Sequence, residues 1–300
     1  MNRRFLAVIN RAAGGGRCGK LVDEALGRLR TGGIELEMAE TSRPGHATEI
    51  AREAYGRGWR NFLAVGGDGT SYEIVNGLFP QAEGGERPTL AFLPLGTGNS
   101  FLRDFSERGL EYASQALATG KRRPCDVLRL THREGVLHYI NLLSMGFAAD
   151  VAAMRIRRFK NMGELGYLLA LFVCLARLER RAFPVRVNGN GTADRRRCLF
   201  LTFNNSKFTG GKMMIAPKAE IADGLIEYVR WGPIGRVGLL RNLPGLYDGT
   251  HIQHPLAERH AATRIEFELD APVDVMVDGE VLRVHCEKLE VLPGALEVVA

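Results

Sequence analysis

Apolar and polar positions follow one pattern up to about residue 124 and another pattern after it. In the first part, short apolar runs alternate with segments whose apolar residues recur at helical spacing, which predicts strands and helices. The predicted strands are Phe5–Asn10, Ile34–Glu40, Phe62–Val65 and Leu90–Leu93, and the predicted helices are Gly19–Leu29, His46–Tyr55 and Tyr72–Leu78. This alternation predicts a parallel sheet covered on both faces, with a ligand site beyond the carboxyl ends of its strands.

Strand-like runs dominate the second part, where two longer helical stretches, Val151–Arg181 and Gly235–Tyr247, interrupt them. The predicted strands are Val127–Leu130, Leu137–Leu143, Val185–Asn188, Cys198–Asn204, Leu225–Trp231, Arg264–Leu269, Val273–Val277 and Leu282–His285. We therefore predict an α/β domain in residues 1–124 and a β-sandwich-like domain with helical insertions in residues 125–300.

The most apolar stretch of the chain is Tyr167–Ala176. It is too short to cross a bilayer, because a spanning helix needs about 20 residues. We interpret it as a buried core helix, with direct membrane contact as the alternative.

Composition narrows the class of protein. The five cysteines are scattered without a CxxC pair, which argues against a disulfide framework or structural zinc and favours the cytoplasm. The net charge of +6 suits an anionic partner, which could be a nucleotide, nucleic acid or an anionic membrane.

Most of the excess positive charge lies in one segment, Val151–Phe183, whose net charge is +5. Its basic residues are Arg155, Arg157, Arg158, Lys160, Arg177, Arg180 and Arg181, opposed only by Glu164 and Glu179. This segment is either a solvated face or a surface that attracts anionic lipid, where each basic residue contributes about 1 kcal/mol.

The sequence Gly66–Tyr72 (GGDGTSY) is the clearest candidate for chemistry, since it joins an apolar strand to a helical segment. Glycines let a backbone approach a phosphate closely, and a helix beginning at Thr70–Ser71 offers N–H groups to an anion. Asp68 in this turn could hold Mg²⁺ or orient an attacking hydroxyl. The alternative is a tight turn with a capping aspartate.

Two further glycine-rich loops follow predicted strands, at Asn10–Arg17 and at Leu95–Phe101, where Thr97 supplies a hydroxyl. Loops at the same edge of one sheet converge, so we expect all three to border one phosphate site. The Walker A pattern is absent, which excludes a P-loop enzyme.

These motifs resemble the diacylglycerol kinase catalytic domain, in particular that of the bacterial soluble lipid kinases, with sphingosine and ceramide kinases more distant. The resemblance spans nearly the whole chain in order. It is carried by Thr41–His46, Gly66–Thr70, Val75–Gly77, Pro94–Asn99, Ser144–Phe147, Asn204–Asn205, Ala216–Leu225 and Asp278–Glu280.

The resemblance implies a phosphofructokinase-like α/β domain, a C-terminal β-sandwich and ATP between them, with the last few residues able to return to the first domain. It also implies phosphoryl transfer to a hydroxyl of a membrane lipid. The residues that it assigns to ATP are Asn10, Thr41, Gly66, Gly67, Asp68, Gly69, Thr70, Ser71, Tyr72 and Thr97. Those that it assigns to Mg²⁺ are Glu220, Asp223 and Leu225, with Asp223 giving its carboxylate and the others mainly backbone oxygens.

The same resemblance makes Glu280 the proton acceptor, with Asp278 beside it and Asp68 as a further catalytic residue. Phosphoryl transfer needs a phosphate cradle, a metal and a carboxylate near the hydroxyl, which agrees with these roles. By itself, however, Asp278-Gly279 between two strand-like runs indicates an ordinary hairpin turn.

Two positions depart from the family pattern. Arg11 follows Asn10 where the family usually has proline, and Ser100 follows Asn99 where it commonly has aspartate. A carboxylate of the metal and substrate network is therefore missing, and Asp104, one turn later, is the candidate to replace it in part.

Other functions and sites remain open. A kinase for a soluble metabolite such as NAD shares the Gly-Gly-Asp-Gly-Thr turn, and a non-catalytic nucleotide or lipid sensor could keep the fold. Nucleic acid is the least favoured partner, and a homodimer is open. The cytoplasm is the expected location, with peripheral contact at an anionic membrane left open. His251, His254 and His260 could suggest zinc, but we interpret them as a surface loop.

Overall fold

A computed structural model of the protein describes residues 3–159, 162–210 and 212–300. The strands are β1 (Arg4–Ile9), β2 (Glu35–Glu40), β3 (Asn61–Gly66), β4 (Thr89–Pro94), β5 (Arg122–His132), β6 (Gly135–Tyr139), β7 (Leu142–Gly146), β8 (Arg181–Ala182), β9 (Val185–Val187), β10 (Arg197–Cys198), β11 (Phe200–Asn204), β12 (Phe208–Thr209), β13 (Met213–Met214), β14 (Ile226–Trp231), β15 (Ala257–Ala262), β16 (Arg264–Phe267), β17 (Val273–Val277), β18 (Glu280–Val284) and β19 (Cys286–Val299). The α-helices are α1 (Arg17–Thr31), α2 (His46–Gly56), α3 (Asp68–Leu78), α4 (Leu110–Thr119), α5 (Phe147–Arg158), α6 (Gly163–Ala176), α7 (Arg236–Asn242) and α8 (Gly245–Asp248).

The apolar runs of the first part form a parallel sheet in the order β2-β1-β3-β4. Every residue of β3 is buried, whereas β2 at the edge is mostly exposed or half-buried. A continuous apolar run is what a strand covered on both faces requires, and helices supply that cover. The predicted parallel α/β sheet is confirmed.

The second part adds an antiparallel sheet in the order β15-β14-β11-β7-β17-β18. It faces β5, β6, β16 and β19 across one hydrophobic core, which joins Leu130, Ile265 and Leu289 on one side to Phe203 and Val277 on the other. Two sheets that share an apolar interior form a sandwich. The predicted order of an α/β sheet followed by an antiparallel sandwich with helical insertions is confirmed.

The final strand, β19, was not predicted from the sequence because Pro293 and Gly294 interrupt its apolar pattern. It pairs antiparallel with β5 on both sides of a register shift at Leu292/Leu296, and its Glu297 and Val298 pair parallel with β4. β19 therefore continues the parallel sheet into the sandwich layer that contains β5, β6 and β16, within a single sheet. The division near residue 124 stays a prediction.

The apolar helix α6 differs from its prediction. Ala170 and Cys174 are buried, but Leu168 is 48% exposed and Phe172 is 60% exposed. The interpretation as a buried core helix is wrong, because α6 packs on α5 through one side and leaves its other side in solvent. No helix within the described ranges is long and apolar enough to span a bilayer.

The histidine group is not the predicted surface loop. His251 is 2% exposed, and its ring nitrogens lie 3.1 Å from the carbonyl oxygens of Gly245 and Ile215. His260 lies on the edge strand β15 and stacks on Tyr228. Across the part of the chain that the structure describes, no group of three or more His, Cys, Asp or Glu side chains could hold a metal ion.

We expect Leu289→Ala to destabilise the protein by about 2–5 kcal/mol, because Leu289 on β19 is fully buried and alanine would leave a cavity. Urea unfolding should report this loss. Val136→Ala, at a position that is 48% exposed on β6, is the control and should change the free energy of unfolding by less than about 0.5 kcal/mol. Equal stability of the two variants would contradict the central role of β19.

Candidate active site

Three loops at the carboxyl ends of β1, β3 and β4 meet at one cleft of about 440 Å³. They contribute Asn10 and Gly14, then Gly67–Thr70, then Gly96–Gly98. The opposite wall comes from the second part of the chain and includes Asn141, Leu142, Ala152, Arg155, Ile156, Thr209, Gly210, Met276, Asp278, Gly279 and Glu280. The expected convergence of the three loops is confirmed.

The second and third of these loops interlock through their backbones. Gly96 N donates to Gly66 O at 2.8 Å, and Asp68 N donates to Gly98 O at 3.0 Å. A Cβ added at Gly67 would lie 2.7 Å from Gly98 O, and one at Gly96 would lie 2.9 Å from Gly67 Cα. Larger residues would push the loops apart, so this close approach requires glycine.

The amino terminus of α3 opens onto the cleft. The helix begins at Asp68, two residues before the predicted start, and Asp68, Gly69 and Thr70 line the cleft. Backbone N–H groups and the helix dipole at such a terminus stabilise an anion. The geometry therefore suits a phosphate group against the first turn of α3.

The carboxylate of Asp68 is held by the loop that follows β4. Its two oxygens accept from Ser100 N at 3.0 and 2.9 Å, and the Ser100 side chain also hydrogen-bonds to it. Burial raises the pKa of Asp68. An aspartate at position 100 would place a second negative charge beside the Asp68 carboxylate. Serine avoids the repulsion between these two carboxylates.

Asp104 does not line this cleft within the described residues. Its carboxylate accepts from Lys207 N at 3.1 and 3.2 Å, and burial raises its pKa to about 7. It borders a second cavity together with Arg123 and Glu220.

Asp278 and Glu280 lie on the hairpin between β17 and β18. Asp278 and Gly279 have φ angles of 46° and 91°, as a two-residue hairpin turn of this kind requires, so the simple prediction of a hairpin is correct. Glu280 is exposed in the cleft, and its Oε1 lies 2.7 Å from the position of a Cβ at Gly69. The hairpin thus brings a carboxylate against the first turn of α3.

The carboxylate of Asp278 is 3% exposed and organises the backbone around it. It accepts from the N–H groups of Ile140, Asn141 and Leu142 at 3.1, 3.2 and 2.9 Å. Burial, with a smaller effect of nearby Asp68, raises its pKa to about 7. Asp278 therefore fixes the hairpin to the connection between β6 and β7.

The other residues expected at ATP do not all face the cleft. Thr97 lines it, whereas Thr41, Gly66, Ser71 and Tyr72 are absent from its described lining. Burial and the charges of Asp278 and Glu280 raise the pKa of Tyr72, so this residue lies close to both carboxylates.

Thr41 directly follows β2, and its N–H donates to Ile9 O at 2.8 Å. The loop that follows is tied to α3 through Glu73, whose carboxylate accepts from Gly45 N and Ala47 N at 2.9 and 3.0 Å.

The residues expected to bind Mg²⁺ form a separate group. Asp223 accepts from Leu225 N at 2.9 Å, and none of Glu220, Asp223 and Leu225 lines the cleft within the described residues. Burial and the charges of Asp126 and Glu220 raise the pKa of Asp223. The negative charge of these carboxylates would attract a cation. Among the described residues, however, too few acidic side chains lie together to bind a divalent ion by themselves, so such an ion would also need backbone oxygens as ligands.

Several lining residues were missed, chiefly Glu73, Asn141, Arg155, Ile156, Thr209 and Met276. The charge of Val151–Phe183 marked Arg155 as part of a basic segment. Its position at the cleft follows from the packing of α5 and could not be predicted from the sequence. Within the same segment Arg157 pairs with Asp274 at 3.0 Å and Arg181 pairs with Asp150 at 2.5 Å. Lys160 lies outside the described residues.

Two family models match the chain. A model described as the diacylglycerol kinase catalytic domain matches residues 4–130, and one described as the YegS C-terminal NAD kinase beta sandwich-like domain matches residues 141–300. A protein of Pseudomonas aeruginosa named "Probable lipid kinase YegS-like" is 32% identical over 279 residues, which cover 92% of this chain and 88% of that protein.

Diacylglycerol kinase of Bacillus subtilis is 26% identical over 87% of this chain and 84% of its own length. A crystal structure of a diacylglycerol kinase from Bacillus anthracis shares the fold, with a TM-score of 0.70 and 20% identity over 99% of this chain and 96% of that one. These matches support a kinase function. The chain belongs to the diacylglycerol kinase family, with the YegS type of C-terminal domain.

The raised pKa of Asp278 predicts how stability depends on pH. Its folded-state pKa of about 7 lies above the ordinary value of about 3.9, so only the folded state keeps this proton between those values. We expect the contribution of Asp278 to stability to fall as pH rises from about 4 to about 7 and then to level off. Asp278→Asn should flatten this part of the stability profile in urea unfolding. Exposed Asp270→Asn is the control, and an unchanged slope in Asp278→Asn would refute the assignment.

Proposed function

We propose that this kinase transfers the γ-phosphoryl group of ATP to a hydroxyl of a membrane lipid, diacylglycerol or a related glycerolipid or sphingolipid. The observation that carries the proposal is the approach of Glu280 to Gly69, because it sets a carboxylate beside the helix terminus that we propose binds phosphate. The kinase family makes ATP the phosphoryl donor. The proposed site for Mg²⁺ is Glu220, Asp223 and Leu225.

The proposed reaction has one step. The lipid hydroxyl oxygen attacks the γ-phosphorus, the bond from this phosphorus to the bridging oxygen of ADP breaks, and the hydroxyl proton passes to Glu280. Positioning and charge stabilisation supply most of the catalysis in such a transfer. The backbone of Gly66–Thr70 and the Thr97 hydroxyl would hold the phosphates, with Asn10, Thr41, Ser71 and Tyr72 around the nucleotide.

The two aspartates near the reacting atoms take positioning roles in this proposal. Asp68 is bound to Ser100 and anchors the loop after β4, and Asp278 holds the hairpin that carries Glu280. Mg²⁺ held by Glu220, Asp223 and Leu225 would supply positive charge at the junction of the two parts of the chain, outside the described lining of the cleft. Arg155, an exposed cation on the cleft wall, is the described side chain best placed to meet phosphate charge from the opposite side.

A lipid acceptor is supported by the character of the second wall. Leu142, Ala152, Ile156 and Met276 line it, opposite the glycine loops. These four apolar residues on an otherwise polar wall, next to the proposed proton acceptor, suit the glycerol or sphingoid end of a lipid better than a polar metabolite. We further propose that the protein acts in phospholipid metabolism in the cytoplasm, with peripheral contact to an anionic membrane and no nucleic-acid partner.

Incubation with labelled ATP, Mg²⁺ and a panel of lipids and metabolites should label an organic-soluble product, because the acceptor is a lipid. Chelation of Mg²⁺ should stop the labelling. Thin-layer chromatography of the extract, with mass spectrometry of the product, identifies the acceptor. Labelling of NAD alone would contradict the lipid acceptor, and no labelling of any acceptor would indicate a non-catalytic sensor.

We expect Glu280→Gln to lower kcat by about 10²–10⁴-fold with little change in ATP affinity, since the amide cannot accept the proton. Exposed Glu287→Gln, on β19, is the matched control and should retain wild-type turnover. Steady-state kinetics with the lipid found above, together with ATP binding by calorimetry, measures both quantities. Near-normal turnover of Glu280→Gln would remove Glu280 from the proposed reaction.

A further inference from the structure

Five large apolar side chains are exposed on two neighbouring helices. Leu165, Leu168 and Phe172 of α6 are 56%, 48% and 60% exposed, and Val237 and Leu240 of α7 are 61% and 48% exposed. We call these five residues the α6–α7 face. Soluble proteins rarely leave such residues grouped in water, and a group of this kind marks a contact site.

The buried and the exposed residues of α6 lie on opposite sides of the helix, which we call its inner and outer sides. Gly166, Ala170 and Cys174 recur every fourth residue and are buried. Leu165, Leu168 and Phe172 recur at helical spacing on the opposite side. The helix is therefore apolar on both sides, and α5 covers only the inner one.

The two helices are joined through α6's carboxyl terminus. Arg236, the first residue of α7, donates to Leu175 O at 3.0 Å and to Ala176 O at 2.8 Å. These bonds use carbonyl groups that a helix end leaves unpaired. They hold the carboxyl end of α6 against the amino end of α7.

Cationic side chains accompany this face. Arg158 and Arg177 are exposed and border a cavity between α5 and α6, and Arg241 is exposed on α7. Three acids line the same cavity: Asp150 pairs with Arg181, Asp274 pairs with Arg157, and Glu179 is exposed. An apolar surface with a positive rim matches a lipid surface with anionic headgroups, where apolar side chains insert and arginines meet the phosphates.

The same helical unit reaches the active-site cleft. Arg155 and Ile156, near the carboxyl end of α5, line that cleft, while Arg158 lies beside the cavity next to α6. A bilayer bound at the α6–α7 face would thus lie close to the cleft wall that we assign to the lipid acceptor.

We infer that the α6–α7 face docks the enzyme on an anionic lipid surface by inserting Leu168 and Phe172 among the lipids. This inference rests on the proposed function, which it deepens by naming the membrane-binding residues. The occupant is a lipid surface, and a second copy of this chain is an outcome that the experiment separates.

The test compares the full-length wild type with a Leu168→Gln and Phe172→Gln double variant. Co-sedimentation uses phosphatidylcholine vesicles that contain phosphatidylglycerol, and vesicles of phosphatidylcholine alone, without ATP. We expect the double variant to bind the anionic vesicles at least about tenfold more weakly, because two apolar side chains no longer leave water. The matched control, Met38→Gln with Val136→Gln, removes two residues that are 50% and 48% exposed on other elements, and should bind like the wild type.

A second pair of variants tests the positive rim. Arg158→Gln and Arg177→Gln should each lower binding to anionic vesicles by about fivefold at low salt. The effect should vanish with phosphatidylcholine alone and shrink at high salt, because salt screens exposed charges. Equal losses on both kinds of vesicle would overturn the role of these arginines.

Activity separates this inference from the proposed function. The Leu168→Gln and Phe172→Gln variant should phosphorylate a water-soluble short-chain diacylglycerol like the wild type and lose activity on vesicles. A wild type that binds vesicles through this face but phosphorylates no lipid supports docking and contradicts the proposed function. Vesicle binding by the double variant at the wild-type level overturns docking. A wild-type dimer that becomes a monomer in the double variant, by analytical ultracentrifugation, overturns it in favour of a second copy.

Discussion

The three hydrogen bonds from the backbone of Ile140–Leu142 to the carboxylate of Asp278 are the contact on which the site depends most. They join the β17–β18 hairpin to the start of β7 in the interior, where a mobile hairpin would leave these N–H groups unsatisfied. Buried polar groups without partners cost about 1–3 kcal/mol each, so the arrangement is strongly favoured. The same hairpin carries Glu280 to the first turn of α3. The buried carboxylate of Asp278 therefore fixes the position of the exposed carboxylate of Glu280.

The uncharged Ser100 limits the negative charge in the cleft. Asp68 and Asp278 are close enough for the charge of one to raise the pKa of the other, and Glu280 adds a third carboxylate. A phosphate chain would bring further negative charge. The α3 dipole and Arg155 oppose this charge, and Ser100 avoids adding to it where the family commonly has aspartate. Ser100 is thus compatible with the phosphate binding that we propose for this cleft.

The sequence predicted those features whose cause is local. The parallel strands are uninterrupted apolar runs, the three loops are glycine-rich, and Asp278-Gly279 is a hairpin signal, so each can be read from a few neighbouring residues. Features that depend on distant packing were missed. Glu73 matters because α2 begins beside it, and the exposure of Phe172 depends on how much of α6 the helix α5 covers. The strand β19 was not predicted, because Pro293 and Gly294 interrupt its pattern of apolar residues. In the structure, pairing with β5 on both sides of this interruption keeps the strand continuous.

The two walls of the cleft come from different sheets, yet β5 and β19 pass through both parts of the molecule. Arg122–Cys125 of β5 pairs with the end of β19 beside β4, and Val127–His132 pairs with the rest of β19 in the sandwich. At the crossing, Asp126 accepts from Gly224 N at 2.7 Å and from Gly294 N at 2.6 Å. The residue that fixes the bulge of β19 therefore also fixes the turn after Asp223. The proposed metal group lies at this junction rather than in the cleft, so an ion bound there would act by holding the two walls in register.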